Sequence, residues 1–429
     1  MYRLGTSLLT IWVLSFAFPG WAQARQGVCC AEEGLAIAAR YRVAEISERR
    51  FTHDDLWQSL EGILESPALS VQSIGRSVHG RDIKAVTFGE GPVKVLLWSQ
   101  MHGNESTATM ALADIIRFFA EAEDDPIRNA VALTLSVTMV PMLNPDGAEV
   151  FQRENAVGVD INRDARRLAT PEARALKGLR DRLEPDFGFN LHDQGARTLV
   201  GPGGQQVAIA LLAPAASEDR SYGPTRRRAQ RLAAYLAAVL DEIIPGRVAK
   251  YGDDFNPRAF GDLMQAWGTS TVLIESGAME DDPQKQELRA VNVAVILSAL
   301  NSIGTGSYRQ ANGERYNQLL FNHRIGSDLL ILGGQVVMDG SDPMALDIAI
   351  QYDDPVAKTG PRIVEVGDLA GAVSLDTLSI EGQYIHPEHT TPDGSNDLVW
   401  LKRDVPAQFV IRTGDRANSR EVRRFGSAR

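Results

Sequence analysis

The sequence has little cysteine: among 429 residues there are 2, adjacent at positions 29 and 30. That excludes a disulfide-dense scaffold and a four-cysteine zinc ribbon. Neighbouring cysteines cannot close a long loop, so a vicinal disulfide, an intermolecular bridge and two free thiols stay open for this pair. Val28 departs from the small residue that a lipidation signal places before its cysteine. A basic surplus is also missing. The 44 Lys and Arg against 55 Asp and Glu leave a net charge of −11, which argues against a nucleic-acid partner. Long apolar runs are scarce, and the one from Leu8 to Phe18 falls short of the ~20 residues that cross hydrocarbon. It follows Arg3 and precedes Ala22-Gln23-Ala24, the arrangement of a signal peptide over residues 1–24. The mature protein is therefore expected to be exported, with no membrane span after cleavage.

What is present is ordinary globular composition, 44% hydrophobic and 23% charged, in a chain long enough for two domains. From Ala31 to about Ile303 strand and helix patterns alternate. Val93–Trp98 reads as a buried strand, Ser106–Glu121 as a helix and Val131–Val140 as a strand ending at Asn144-Pro-Asp-Gly147. Phe187–Leu191 and Thr269–Ile274 read as two more strands, and Thr225–Ile244 as a long helix. This order predicts an α/β fold, a three-layer α/β/α sandwich around a mixed sheet, over residues 31–306. Beyond Ser307 the runs are short and separated by Gly, Pro and Asp: Leu329–Leu332, Gln335–Met338, Ala345–Gln351, Ile363–Val366 and Leu398–Leu401. A small all-β domain is expected over 307–429.

The chemistry concentrates where the Val93 strand ends. In Gln100-Met-His102-Gly-Asn104-Glu105 an imidazole and a carboxylate stand three residues apart, just outside the carboxyl end of a strand, where α/β sheets gather ligands. Zinc accepts His nitrogen and Glu oxygen, and a catalytic zinc keeps three protein ligands and one open position. His192, in Phe187-Gly-Phe-Asn-Leu-His192-Asp193, sits at another strand end and is the candidate third ligand. The other histidines lack that setting, and His386-Pro-Glu-His389 reads as loop.

In order, His102-x-x-Glu105, Asn144-Pro-Asp-Gly147, Gly158-Val-Asp-Ile-Asn162-Arg163, Leu191-His192 and Glu275 resemble the motifs of the M14 zinc carboxypeptidases. Gly75–Arg81 is similar to that family's entry segment. The resemblance covers about Arg76 to Gly277. It implies zinc held by His102, Glu105 and His192, with Glu275 as the general base that also returns a proton to the leaving amine. It implies that Asn162 and Arg163 clamp the free C-terminal carboxylate of a peptide, a task suited to the planar guanidinium fork. Arg153 matches the arginine that steadies the oxyanion, and Tyr251, with Tyr222 as alternative, the substrate-capping tyrosine. Segment 255–265 is expected to contribute to the pocket for the terminal side chain.

The sequence departs from the family at three places. Asn104 stands where arginine is frequent, Asp164 follows Arg163 where Asn is commoner, and Ser276-Gly277 follows Glu275 in place of Leu-Arg. Asp164 puts a negative charge beside the carboxylate clamp, either pairing with Arg166 or Arg167 or weakening the clamp, and Asp146 reads as a turn former. The leading expectation is an exported metallocarboxypeptidase acting on a peptide with a free C-terminus. The same chemistry on cell-wall peptides or small N-acyl amino acids, and a binding protein without turnover, are the alternatives.

Overall fold

The computed structural model describes residues 29–338, 341–388 and 401–426. The expected signal peptide, the side chains of Cys29 and Cys30, His389 and most of the 398–401 run lie outside the described residues. The chain opens with helices α1 (Cys29–Arg40) and α2 (His53–Leu60), then strands β1 (Leu69–Arg76), β2 (Asp82–Phe88) and β3 (Val93–Ser99). Helices α3 (Thr107–Glu121) and α4 (Pro126–Thr134), strand β4 (Leu135–Val140) and helices α5 (Pro145–Glu149) and α6 (Pro171–Leu183) follow. Next come β5 (Phe187–Asp193), β6 (Thr198–Val200), β7 (Ile209–Leu212), α7 (Pro224–Ile243), β8 (Val248–Lys250), α8 (Phe260–Ala266), β9 (Ser270–Ser276) and α9 (Gln286–Thr305).

All of these strands except β6 form an 8-stranded sheet in the order β1-β2-β4-β3-β5-β9-β7-β8. Its centre, β4-β3-β5-β9, is parallel. Antiparallel neighbours flank it at β2 and at β7. Alternation along β3 explains the layers. Val95 and Leu97 face a core shared with α3, α7 and α9, whereas Leu96 and Trp98 face a second core with α6 and α8. This is the three-layer α/β/α sandwich with a mixed sheet that the alternating pattern predicts.

One boundary differs. The strand expected from Val131 begins at Leu135, because α4 takes the preceding residues. Asp125 caps α4 by accepting from the Ile127 and Arg128 N–H groups, and Pro126 supplies a preset first turn. Among the described residues only α9 is long and apolar enough to cross a membrane, yet most of it is buried inside this domain. It is a core helix.

Between α3 and α9 lies an enclosed ion pair. Asp114 and Arg289 are each about 1% exposed. Arg289 Nε donates to Asp114 Oδ2 at 2.7 Å. Arg289 Nη2 donates to the Val43 carbonyl at 3.0 Å, and the Val43 N–H donates to Asp114 Oδ1 at 2.7 Å. The pair thus ties the N-terminal segment to both helices.

Residues after α9 first pack on this same unit. In the short helix α10 (Glu314–Asn317), buried Tyr316 accepts from the Ala213 N–H at 3.0 Å. Strand β10 (Asn322–Arg324) pairs antiparallel with β6. The rest is all β: β11 (Leu329–Leu332), β12 (Gln335–Val336), β13 (Met344–Ala345), β14 (Asp347–Asp354), β15 (Thr359–Gly367), β16 (Asp376–Ser379), β17 (Tyr384–Pro387), β18 (Val405–Pro406), β19 (Phe409–Arg412) and β20 (Glu421–Phe425). They form two 5-stranded sheets, β16-β11-β14-β15-β18 and β13-β12-β17-β19-β20. Both sheets contribute to one core of Ile331, Ile348, Ile363, Ile385, Phe409 and Ile411.

Removing Asp114 leaves a buried guanidinium uncompensated. We expect Asp114→Ala to lose about 3–5 kcal/mol of stability, read as a lower urea midpoint.

Candidate metal centre and its cleft

The loop after β3 is bent by backbone geometry before any ligand is considered. Gln100 adopts a left-handed conformation, φ 50°, and its side-chain amide donates to the Gly103 carbonyl at 2.9 Å. Gly103 lies flat against Gly147, where a Cβ would come within 2.0 Å of the Gly147 carbonyl carbon. Asn144 closes the bracket. Its amide donates to the Met101 carbonyl at 3.2 Å and the Arg153 carbonyl at 3.3 Å, while its oxygen accepts from the Gly147 N–H at 2.9 Å. The glycines and the asparagine of these two motifs are therefore positioning residues that aim His102 and Glu105.

The third donor comes from the sheet. His192 ends β5, and β9 runs parallel beside it with His192 opposite Glu275. In-register parallel neighbours point to the same face, so one pairing sets His192 and Glu275 side by side. Glu105 bridges the histidines: Oε1 is 2.8 Å from His102 Nδ1 and Oε2 is 2.6 Å from His192 Nδ1. The two Nδ1 atoms are 3.1 Å apart. The three donors lie within 4.8 Å of one another, all on buried residues, and among the described residues no other His, Cys, Asp and Glu group converges this way. Two imidazole nitrogens and a carboxylate oxygen are a set that fits zinc. His386, in contrast, is spent on the Gly414 carbonyl at 2.9 Å.

Charge is balanced inside the cluster. Burial works against the charged form of His102, but Glu105 and Asp160 outweigh it and raise the ring to about 9. Burial works against the Glu105 anion too, and the two histidines reverse that, holding it well below the usual carboxylate range. His192 is lowered, chiefly by burial.

Asp160 is the residue that sequence reasoning passed over. It lies 3.1 Å from His102 Nε2, and its other oxygen accepts from Arg153 Nε and Nη2 at 3.1 and 2.9 Å. It orients the His102 ring, one of the three clustered donors, and an arginine at once. Its only sequence signal was its place two residues before Asn162. Arg153 Nη1 also meets Glu105 Oε1 at 3.2 Å, so Arg153 is engaged by the cluster and not by Glu149 or Glu154.

These groups face one cleft of about 770 Å³, whose lining includes Arg153, Asn162, Arg163, Tyr251, Asp262 and Glu275. Asn162 Oδ1 accepts from the Phe260 N–H at 2.9 Å, which leaves its amide 3.5 Å from His192 Nε2. The exposed Arg163 donates to the Asn162 carbonyl at 2.7 Å. Burial first and Glu105 second push the Glu275 carboxyl well above its usual range. The Tyr251 phenol is pushed up to about 12 by Glu275 and by burial, so it stays protonated beside that carboxylate. Tyr222 does not line the cleft; it packs under the Arg226 guanidinium, 4.2 Å from the ring centroid.

Two expectations are corrected. Asp164 does not pair with Arg166 or Arg167: it is buried and accepts from the Thr170 N–H, the Thr170 hydroxyl and the Ala169 N–H at 2.7, 2.8 and 3.0 Å. Asp146 is more than a turn former, since it accepts from the Ser77 hydroxyl, the His79 N–H and Arg81 at 2.8, 2.9 and 2.7 Å, fastening segment 75–81 to α5. Gly277 also gains a reason, because a Cβ there would meet the Val207 carbonyl at 2.0 Å.

Residues 58–197 match the family model for zinc carboxypeptidase, peptidase M14. That match takes in about a third of the chain. It is similar to the human carboxypeptidase N catalytic chain, 31% identical over 145 residues, 28% of this chain and 32% of that protein. It is similar to carboxypeptidase SOL1 of Arabidopsis thaliana, 26% identical over 28% of this chain and 26% of that one. The aligned stretches thus span a third or less of these relatives. Among solved structures it is similar to a metallo-carboxypeptidase from Burkholderia cenocepacia, TM-score 0.49 and 19% identity, covering 60% of this chain and 70% of that one. The match stops at 197, and the pairing of β5 with β9 places Glu275 beside the matched residue His192.

We expect Asp160→Asn to weaken divalent-metal affinity by about 10–100-fold, measured by competition with a chromogenic chelator.

Proposed function

We propose that the protein is an exported zinc-dependent carboxypeptidase that removes the last residue of a peptide with a free C-terminus. The observation that carries this reading is that the His102–Glu105–His192 cluster, Glu275, Arg153, Asn162, Arg163 and Tyr251 all line one cleft. The basic start, apolar run and Ala22-Gln-Ala24 of the sequence support the export part.

His102, Glu105 and His192 would hold zinc, which when bound supplies Lewis acidity to the scissile carbonyl and the attacking water. Arg163 and the Asn162 amide bind the terminal carboxylate, and the guanidinium fork gives that contact its direction. Glu275 takes a proton from the attacking water and hands one to the departing amine. Burial and the nearby Glu105 charge raise its pKa, which suits a group that must both accept and donate. Arg153, already oriented by Asp160, places positive charge where the oxyanion develops. Tyr251 keeps its proton and can donate into the cleft.

The terminal side chain has a candidate pocket in the expected segment 255–265, where Asn256, Ala259, Gly261 and Asp262 line the cleft. Burial raises Asp262 to about 6. Its carboxylate favours a cationic last residue.

Peptides offered with free and amidated C-termini, followed by mass spectrometry, test the reading. Single-residue loss from the free forms only is expected. Cleavage of both forms would reject the exopeptidase assignment. Glu275→Gln should lower kcat by at least about 100-fold with metal content unchanged. Preference for Lys or Arg at the terminus should fade as pH falls through about 6, because Asp262 then becomes neutral, and return above it. Asp262→Asn should remove that pH step, as read from kcat/KM for terminal Lys against terminal Leu.

A further inference from the structure

The second domain reaches the cleft. The end of β14 and the turn that follows it supply Asp353, Asp354, Pro355 and Val356 to the same lining that holds Glu275 and Arg163. Its shape is set locally, since Asp354 Oδ1 accepts from the Val356 and Ala357 N–H groups at 3.2 and 3.1 Å. Its position is set by Arg49, whose guanidinium pairs with Asp354.

Arg49 is itself tied to the metal-ligand loop. Its carbonyl accepts from the Ser106 hydroxyl at 2.5 Å, one residue beyond Glu105. Its guanidinium lies 5.6 Å from the ring centroid of Phe151, two residues before Arg153. The hairpin is therefore held in register with the reacting centre by a chain of contacts.

Asp354 is committed to that anchorage, and Asp353 is not. The Asp353 side chain is 64% exposed and makes a long ion pair, 3.9 Å, with the Arg362 guanidinium. Resting on the carboxypeptidase reading, in which Asn162, Arg163 and Tyr251 hold the last residue, the remainder of the peptide must run outward along this lining. We propose that the β14–β15 turn is a substrate-reading wall of the cleft, with Asp353 selecting a cationic side chain upstream of the scissile bond.

The test uses the zinc-loaded full chain, one N-blocked dipeptide and three pentapeptides sharing the dipeptide's last two residues. The pentapeptides carry Lys, Ala or Glu at the third residue from the end. Wild-type kcat/KM should rank Lys above Ala above Glu, with Lys over Glu by about fivefold, the size an exposed ion pair allows. Asp353→Lys should reverse the ranking, and Asp353→Asn should flatten it. Asp354→Ala, which frees the turn, should lower the ratio of Lys-pentapeptide to dipeptide kcat/KM by several-fold. The dipeptide serves as the separate check. If wild type does not cleave it, the carboxypeptidase reading falls and this proposal with it. If wild type cleaves it and the pentapeptide ranking is the same in Asp353→Lys, the wall is overturned while the carboxypeptidase reading stands.

Discussion

Everything at this site depends on one buried carboxylate. Glu105 sits between His102 and His192, touching each by a different oxygen. An isolated carboxylate at such a depth would be strongly disfavoured. It persists because two imidazoles and the Arg153 guanidinium surround it. Each of those partners is held in turn: His102 and Arg153 by Asp160, His192 by the β5 strand, and the loop carrying Glu105 by Asn144 and the contact of Gly103 with Gly147. The same crowding that balances charge brings three donor atoms to one point.

Glu105 and Glu275 share this cleft with opposite electrostatics. Two histidines hold Glu105 low, whereas burial and the neighbouring Glu105 charge push Glu275 high. Under the proposed function, two carboxylates driven apart in this way divide two tasks, one as permanent anion and ligand, the other as proton carrier. Tyr251 shares the same surroundings, its phenol pushed up to about 12 by Glu275 and by burial.

The β sandwich is more than an appendage. Residues 307–324 pack on the first unit through Tyr316 and the β6–β10 pair, and the β14–β15 turn then returns to the cleft across the Arg49–Asp354 contact. A single lining is thus drawn from residues as far apart as Arg49 and Val356. The first strands and loops supply most of that lining, and the end of β14 with the turn after it supplies Asp353 to Val356.

The sequence alone determined the layered α/β fold, because short apolar runs alternating with helical spacing have few ways to bury their faces. It also made His102, Glu105 and His192 legible, since His-x-x-Glu is local and each candidate stands at the end of a recognisable strand. Other features were invisible for a physical reason: they are set by contacts between residues far apart in the chain. The α4 boundary turned on a cap at Asp125 that competes with strand propensity. Asp164 and Asp146 found backbone N–H groups that no spacing rule announces. Asp160 acts through His102, 58 residues away, and Asp354 meets Arg49 across 305 residues. Only the tertiary structure decided these, because side-chain partners across such separations are chosen by strand order, register and loop path, not by neighbours in sequence.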